Sequence, residues 1–253
     1  MIASVADLRR SVDGSGCRAA CDLEIVVPAY NEASRLPGTL REAVAYLESC
    51  AWRTRIVVVD NGSVDETVAA ARRVVSTEVG ISVIGCSQAG KGAAVRRGVL
   101  AGTAAFVGFV DADLSTPIDT LSEVMSELRR GAAAVVASRH APGARFAHPR
   151  PLTRRVGGAA FRVLSRPLVA GVHDTQCGFK FFRREVAQEV LRRSRMNGFA
   201  FDVELLRLLQ NTGRRIVEIP VTWTDDARST FRPVRDGAEA FASLLRLYGV
   251  RAG

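Results

Sequence analysis

No stretch of this 253-residue chain stays apolar for the roughly 18 residues that a membrane span requires. The longest apolar run, around Val99 to Val110, is broken by Gly102, Thr103 and Gly108. The N-terminus lacks the apolar core of a secretory leader, so a cytoplasmic location is the expectation. The five cysteines (Cys17, Cys21, Cys50, Cys86 and Cys177) are an odd, scattered set. Cys17 and Cys21 could ligate a metal, but no second pair or nearby histidine completes a zinc site, and idle or buried thiols are expected. Repeats and low-complexity linkers are missing as well, which favours a single domain over residues 22–253. Residues 1–21, with weak periodicity and a Gly-Ser-Gly cluster, read as a tail or short leading helix. Acid is absent from His140 to His173, a segment that holds six arginines: Arg145, Arg150, Arg154, Arg155, Arg162 and Arg166.

What is present describes an ordinary soluble globular protein, 47% hydrophobic and 24% charged. The formal net charge of +9, carried more by arginine than by lysine, implies an anionic partner: nucleic acid, a membrane surface or a phosphorylated substrate.

Short apolar runs alternate with helical patterns. Leu23–Pro28 reads as a buried strand stopped by proline, followed by a helix through Leu36, Leu40, Val44 and Leu47. Arg55–Val59 is a second strand, and Ser63 with Glu66 forms a capping box that predicts a helix from about Val64. Ile81–Ile84 is a third strand, after which Gly90-Lys91-Gly92 opens a helix to about Ala104. Phe106–Val110, a helix over 118–130 and the strand Ala133–Arg139 continue the alternation. Such a pattern predicts an α/β fold with a mostly parallel, doubly wound sheet flanked by helices. Leu152–Val169 interleaves apolar residues with arginines, and so predicts an amphipathic helix facing either anionic lipid head groups or, on its polar side, solvent. A turn from Asp174 enters a strand at Phe179–Phe182. Phe201–Leu206 opens a helix with Asp202 and Glu204 near its positive end. Ile216–Trp223 is a last strand, and a helix over about 236–248 closes the chain.

At the end of Phe106–Val110 stand Asp111 and Asp113, followed by a Ser-Thr-Pro turn. Burying a strand that ends in two anions is costly unless the charge is paired. In an open α/β sheet the carboxyl ends of the strands are where ligands sit. Two oxygen ligands on a turn suit a hard divalent cation that keeps waters and binds substrate phosphates. Alternatively, Asp113 caps the following helix while Asp111 is solvated.

Seven segments in order span about residues 23 to 245: Val27-Pro28-Ala29-Tyr30-Asn31-Glu32, Val59-Asp60-Asn61-Gly62-Ser63-Val64-Asp65, Gly90-Lys91-Gly92, Asp111-Ala112-Asp113-Leu114-Ser115-Thr116-Pro117, Ala137-Ser138-Arg139, Asp174-Thr175-Gln176-Cys177-Gly178-Phe179-Lys180 and Phe201-Asp202-Val203-Glu204-Leu205-Leu206. Together they resemble the family 2 inverting glycosyltransferases, and within them the polyprenyl-phosphate (dolichyl-phosphate) sugar synthases, the glucosyl branch more than the mannosyl one.

The resemblance implies a GT-A fold, a UDP-sugar donor in preference to a GDP-sugar, and Mg2+ or Mn2+ as cofactor. It assigns Pro28, Tyr30, Glu32 and Asp60 to the base and ribose, and Lys91 to the donor phosphates. Asp111 and Asp113 hold the metal against the diphosphate. Ser138 and Arg139 match the acceptor-phosphate contact. Asp174 orients the acceptor or sugar if the acceptor is a lipid phosphate, and is the candidate general base if it is an alcohol. The implied reaction moves a hexose, glucose favoured, to a polyprenyl phosphate at the cytoplasmic membrane face; a soluble small-molecule acceptor is the alternative. A basic nucleic-acid-binding protein would explain the charge but not the acidic turn, and no aromatic-interleaved basic strand supports it. Three positions depart from the family. Asn61 replaces an aspartate, Phe199-Ala200-Phe201 replaces a segment with tryptophan, and Arg228-Ser229-Thr230 stands where the family has Gly-Ser-Lys.

Overall fold

The computed structural model describes residues 21–147, 152–224 and 235–249, with backbone alone over 152–156 and 235–240. The expected tail at 1–20, Cys17 and the Arg228–Thr230 departure lie outside the described residues, as do the side chains of Arg150, Arg154 and Arg155.

The chain opens with three strand–helix units: β1 (Leu23–Ala29) and α1 (Leu36–Glu48), β2 (Thr54–Asp60) and α2 (Thr67–Arg72), β3 (Gly80–Gly85) and α3 (Lys91–Ala101). Next, β4 (Phe106–Val110) leads through a 3-10 turn, Ile118–Thr120, into α4 (Leu121–Arg129) and then β5 (Ala134–Ser138). The remainder is β6 (Arg145–Phe146), α5 (Leu152–Ser165), β7 (Phe179–Arg183), α6 (Arg184–Arg193), α7 (Phe201–Gln210), β8 (Ile216–Pro220), β9 (Thr222–Trp223) and α8 (Arg235–Gly249).

The main sheet has seven strands in the order β3-β2-β1-β4-β7-β5-β8, while β6 and β9 form a separate parallel pair. Within the main sheet only β7 runs against its neighbours, pairing antiparallel with β4 and β5. Alternate residues of one strand enter different cores. Ile25 and Val27 pack with α1 and α4, whereas Val26 packs with residues of α3, α6 and α7. Burial on both faces is why these strands read in the sequence as unbroken apolar runs. The strand order reverses between β1 and β4, which opens a crevice at their carboxyl ends. Among the described residues no helix is long and apolar enough to cross a membrane.

Four local expectations differ from the structure. Pro28 does not stop β1, which continues to Ala29. Pairing of β1 with β4 already ends at Val26–Phe109, so the missing N–H of Pro28 costs that ladder nothing. Helix α2 begins at Thr67, not near Val64, and Glu66 makes no capping bond. Ser63 Oγ instead accepts from Asn31 N at 2.9 Å, and Asp65 Oδ1 accepts from Thr67 N at 3.0 Å. The last apolar run divides at Val221 into β8 and β9, which belong to different sheets. Helix α6, between the Phe179 strand and the Phe201 helix, has no counterpart among the expected elements: with Arg184 at its start and Arg192 and Arg193 at its end, its mean hydropathy is low, and only Val186, Ala187, Val190 and Leu191 face inward.

Candidate active site

The acidic turn sits at the carboxyl end of β4, at the crevice. Asp111 N donates to Gly178 O at 3.0 Å, continuing the β4–β7 pairing by one residue. Leu114 is held at φ 44°, a left-handed conformation that few non-glycine residues adopt. Asp113 Oδ1 accepts from Ser115 N at 3.0 Å, so it caps its own turn and not the helix beyond. The Asp111 carboxylate lies over the bare Cα of Gly178, where a Cβ would come within 1.9 Å of its Oδ2. Both acids line one small pocket with Ser115, Thr116, Phe179 and Trp223.

Both lysines of the chain meet behind this turn. Lys91 Nζ lies 2.6 Å from Asp111 Oδ1 and 3.8 Å from Asp202 Oδ2. Lys180 Nζ donates to Asp202 Oδ1 and to Cys177 O, each at 2.6 Å. The two ammonium groups approach the Phe109 ring at 5.7 and 5.4 Å. Burial alone would lower the Lys91 pKa, but Asp111 and Asp202 outweigh it and hold the group above the ordinary lysine value. For Asp111 burial raises the pKa, Asp113 and Asp202 add to that, and Lys91 opposes it; the net direction is upward. Lys91 therefore pairs with the acidic turn itself. Its place is set by Gly90, at φ 114°, where a Cβ would come within 2.2 Å of Asn197 O, and by Gly92 N donating to Asn197 O at 2.7 Å.

Around the ends of β1 and β2 and the start of α3, three loops are tied together by two asparagines. Asn31 Oδ1 accepts from Val64 N at 2.9 Å. Asn61 Oδ1 accepts from Gly90 N, and its Nδ2 donates to Gln88 O, both at 2.6 Å. An aspartate could make only the first of these bonds, which gives the departure at Asn61 a physical role. Asp60 accepts from Gly62 N and Ser63 N at 3.3 Å and closes the same loop. Tyr30 projects from the end of β1, 54% exposed. Pro28 lies in β1, two residues before it. Glu32 is buried and pairs with Arg35, its Oε2 2.5 Å from Nε, so its carboxylate faces the protein and not an open base or ribose site.

The residues expected to meet the acceptor depart further from expectation. Ser138 is fully buried, and its Oγ accepts from His140 N at 3.2 Å and Ala141 N at 2.8 Å. It shapes the turn after β5 and has no surface for an acceptor phosphate. Arg139 donates through Nε and Nη2 to Asp174 at 2.6 and 2.8 Å, and its guanidinium lies 4.7 Å from the centre of the Trp223 ring. Burial would raise the Asp174 pKa, but Arg139 overrides it and holds the carboxyl well below the usual range. Such a carboxylate is a weak proton acceptor, so the geometry speaks against a general-base role. Burial pushes the Cys177 thiol up to about 11, which suits packing and not nucleophilic chemistry.

The residues fit a divalent cation with a diphosphate. The crowding of Asp111, Asp113 and Asp202 is offset by Lys91 and Lys180, and an added cation would relieve what remains. Among the described residues no group of three or more His, Cys, Asp or Glu is placed to share a metal. Two carboxylates suit an ion that completes its shell with waters and phosphate oxygens. Gln176 Nε2, on the turn after Asp174, is buried with no hydrogen-bond partner. Sequence reasoning missed Lys180 and Asp202 as parts of the site. One signal was available: a lysine inside Phe179-Lys180-Phe181-Phe182 requires a buried acid.

The family profile "Glycosyl transferase family 2" matches residues 24–191. A dolichyl-phosphate beta-glucosyltransferase of Trichomonas vaginalis is 35% identical over 79% of this chain, which spans 63% of that relative's length. The dolichyl-phosphate beta-glucosyltransferase of Homo sapiens is 33% identical over 83% of this chain and 70% of its own. Among solved structures, glucosyl-3-phosphoglycerate synthase from Mycobacterium tuberculosis, in complex with Mn2+, UDP-glucose and phosphoglyceric acid, superposes with a TM-score of 0.66. It is 18% identical, over 92% of this chain and 81% of its own. That likeness concerns the GT-A fold. The profile match runs from the start of β1 to the last turn of α6 and takes in the acidic turn, the Lys91 loop and the Asp174 segment: the chain belongs to glycosyl transferase family 2.

Proposed function

We propose that this chain transfers a hexose, glucose favoured, from a UDP-sugar to the phosphate of a polyprenyl phosphate, with inversion at the anomeric carbon. The observation that carries this reading is the Asp111–Asp113 turn at the β1–β4 crevice, with Lys91 2.6 Å from Asp111. The names of the relatives support the sugar and the lipid acceptor.

In this reading Tyr30 and the loop closed by Asp60 receive the nucleoside, and Asp111 and Asp113 hold Mg2+ or Mn2+ against the diphosphate. The bound metal supplies charge neutralisation for the leaving nucleotide. Lys91, tethered between Asp111 and Asp202, adds a fixed positive charge on the donor side. A phosphate acceptor attacks as an anion and needs no base, which accords with an Asp174 committed to Arg139. Asp174 then acts by holding Arg139 in place. The acid-free basic segment over 140–173 suits a peripheral position on an anionic membrane surface.

The test is a panel of UDP- and GDP-sugars crossed with polyprenyl phosphate, phosphoglyceric acid and water, read by mass spectrometry with Mg2+ or Mn2+ present. Glucosyl transfer from UDP-glucose to the polyprenyl phosphate is expected. Transfer to phosphoglyceric acid alone would replace the lipid acceptor with a soluble one, and absence of donor binding would overturn the reading as a whole.

A further inference from the structure

With Ser138 buried and Arg139 engaged by Asp174, the residues expected to meet the acceptor phosphate are occupied within the protein. A different basic pair lies next to them. Arg162, on α5, places Nη1 2.7 Å from Nε2 of His140, the residue after Arg139. A guanidinium can only donate, so in this hydrogen bond Nε2 is the acceptor. Arg162 is half-buried, meets no carboxylate among the described residues, and has donors to spare beyond the contact with His140. Ser138 holds His140 in place through its peptide N–H.

This pair is linked to the acidic pocket by a run of contacts. The His140 and Phe146 ring centres are 5.7 Å apart. Phe146 pairs with Trp223 across β6 and β9, and Trp223 lines the pocket with Asp111 and Asp113. Next to Arg162 along the chain two apolar side chains are exposed, Val163 at 69% and Leu164 at 39%. Tyr248 of α8, also exposed, donates its hydroxyl to Leu164 O and extends that face onto the neighbouring helix.

We propose that Arg162 and His140 form the seat of a phosphomonoester whose apolar tail lies along Val163, Leu164 and Tyr248. The inference rests on the polyprenyl-phosphate reading above and names the residues that would recognise that acceptor. A compact anion flanked by exposed apolar side chains matches a prenyl phosphate better than a free phosphate or a small phosphorylated acid.

The experiment measures direct binding of the full chain to farnesyl phosphate, farnesol and inorganic phosphate by calorimetry. Wild type, R162Q, H140Q and R166Q are compared, with thermal melting to verify folding. Arg166 lies one turn further along and is exposed, so R166Q removes the same charge without touching the pair. Farnesyl phosphate is expected to bind more tightly than either fragment. R162Q should weaken it about tenfold or more, the loss of a charge-assisted contact, and R166Q less than about threefold. H140Q should fall between them. Equal losses in R162Q and R166Q, or none in R162Q, would overturn the proposal, as would inorganic phosphate binding as tightly as farnesyl phosphate. Glucosyl transfer to polyprenyl phosphate that is indifferent to R162Q would sink this seat and leave the function standing. Arg162-dependent binding without transfer would do the reverse.

Discussion

Lys180 and Asp202 form an ion pair closed to solvent, Nζ to Oδ1 at 2.6 Å, beneath the acidic turn. The second oxygen of Asp202 lies 3.8 Å from Lys91 Nζ, so one carboxylate links the core of the sheet to the candidate phosphate-binding lysine. Removing Lys180 strands a buried negative charge. K180M is expected to cost about 3–5 kcal/mol in urea unfolding. K180M/D202L should recover part of that loss, because it removes the stranded charge. A cost below about 1 kcal/mol for K180M would mean that the pair contributes little to folding.

Asp174 makes a prediction about acid. Its carboxyl is held below the usual range in the folded chain, so its contribution is fully present above the unfolded value, about 3.9. It is lost as pH falls below that value toward the folded one. D174N should therefore be less stable at neutral pH and show a shallower loss between about pH 4 and 2. Denaturant midpoints measured across that range for both proteins provide the check.

D113N removes one of two candidate ligand carboxylates without changing side-chain size. Metal-dependent donor binding, followed by Mn2+ titration in the presence of UDP, is expected to weaken by roughly a hundredfold. Thermal stability should change little, since among the described residues the Asp113 side chain bonds only Ser115 N of its own turn.

Gly178 tests the seat of Asp111. In G178A the new Cβ would come within 1.9 Å of Asp111 Oδ2, so the carboxylate must move or the β4–β7 junction must open. The expected result is a loss of about 1–3 kcal/mol in stability together with weaker metal binding. Unchanged metal affinity would separate Asp111 from the metal site.

Asn61 should act on the donor alone. N61D keeps the acceptor for Gly90 N but sets a carboxylate against Gln88 O, where a donor is needed. An increase in donor KM of about tenfold, with acceptor KM unchanged, is expected.

The amino-acid sequence by itself determined the layered fold and the rim on which the chemistry gathers. Strands buried on both faces leave continuous apolar runs, and Asp60, Asp111, Arg139 and the turn after Asp174 interrupt them where the strands end. Local pattern carries that much because burial and chain reversal are properties of neighbouring residues. What each polar group does at the rim was decided only by the tertiary structure. Ser138 turned inward, Glu32 closed on Arg35, and Asp174 was taken up by Arg139, each satisfying a desolvation cost that appears only when distant segments pack. The antiparallel insertion of β7 has the same origin: it brings Gly178, from the turn leading into that strand, against Asp111, and sets Lys180 beside Phe109 where it meets Asp202, so the acidic turn is completed by residues some 70 positions away along the chain.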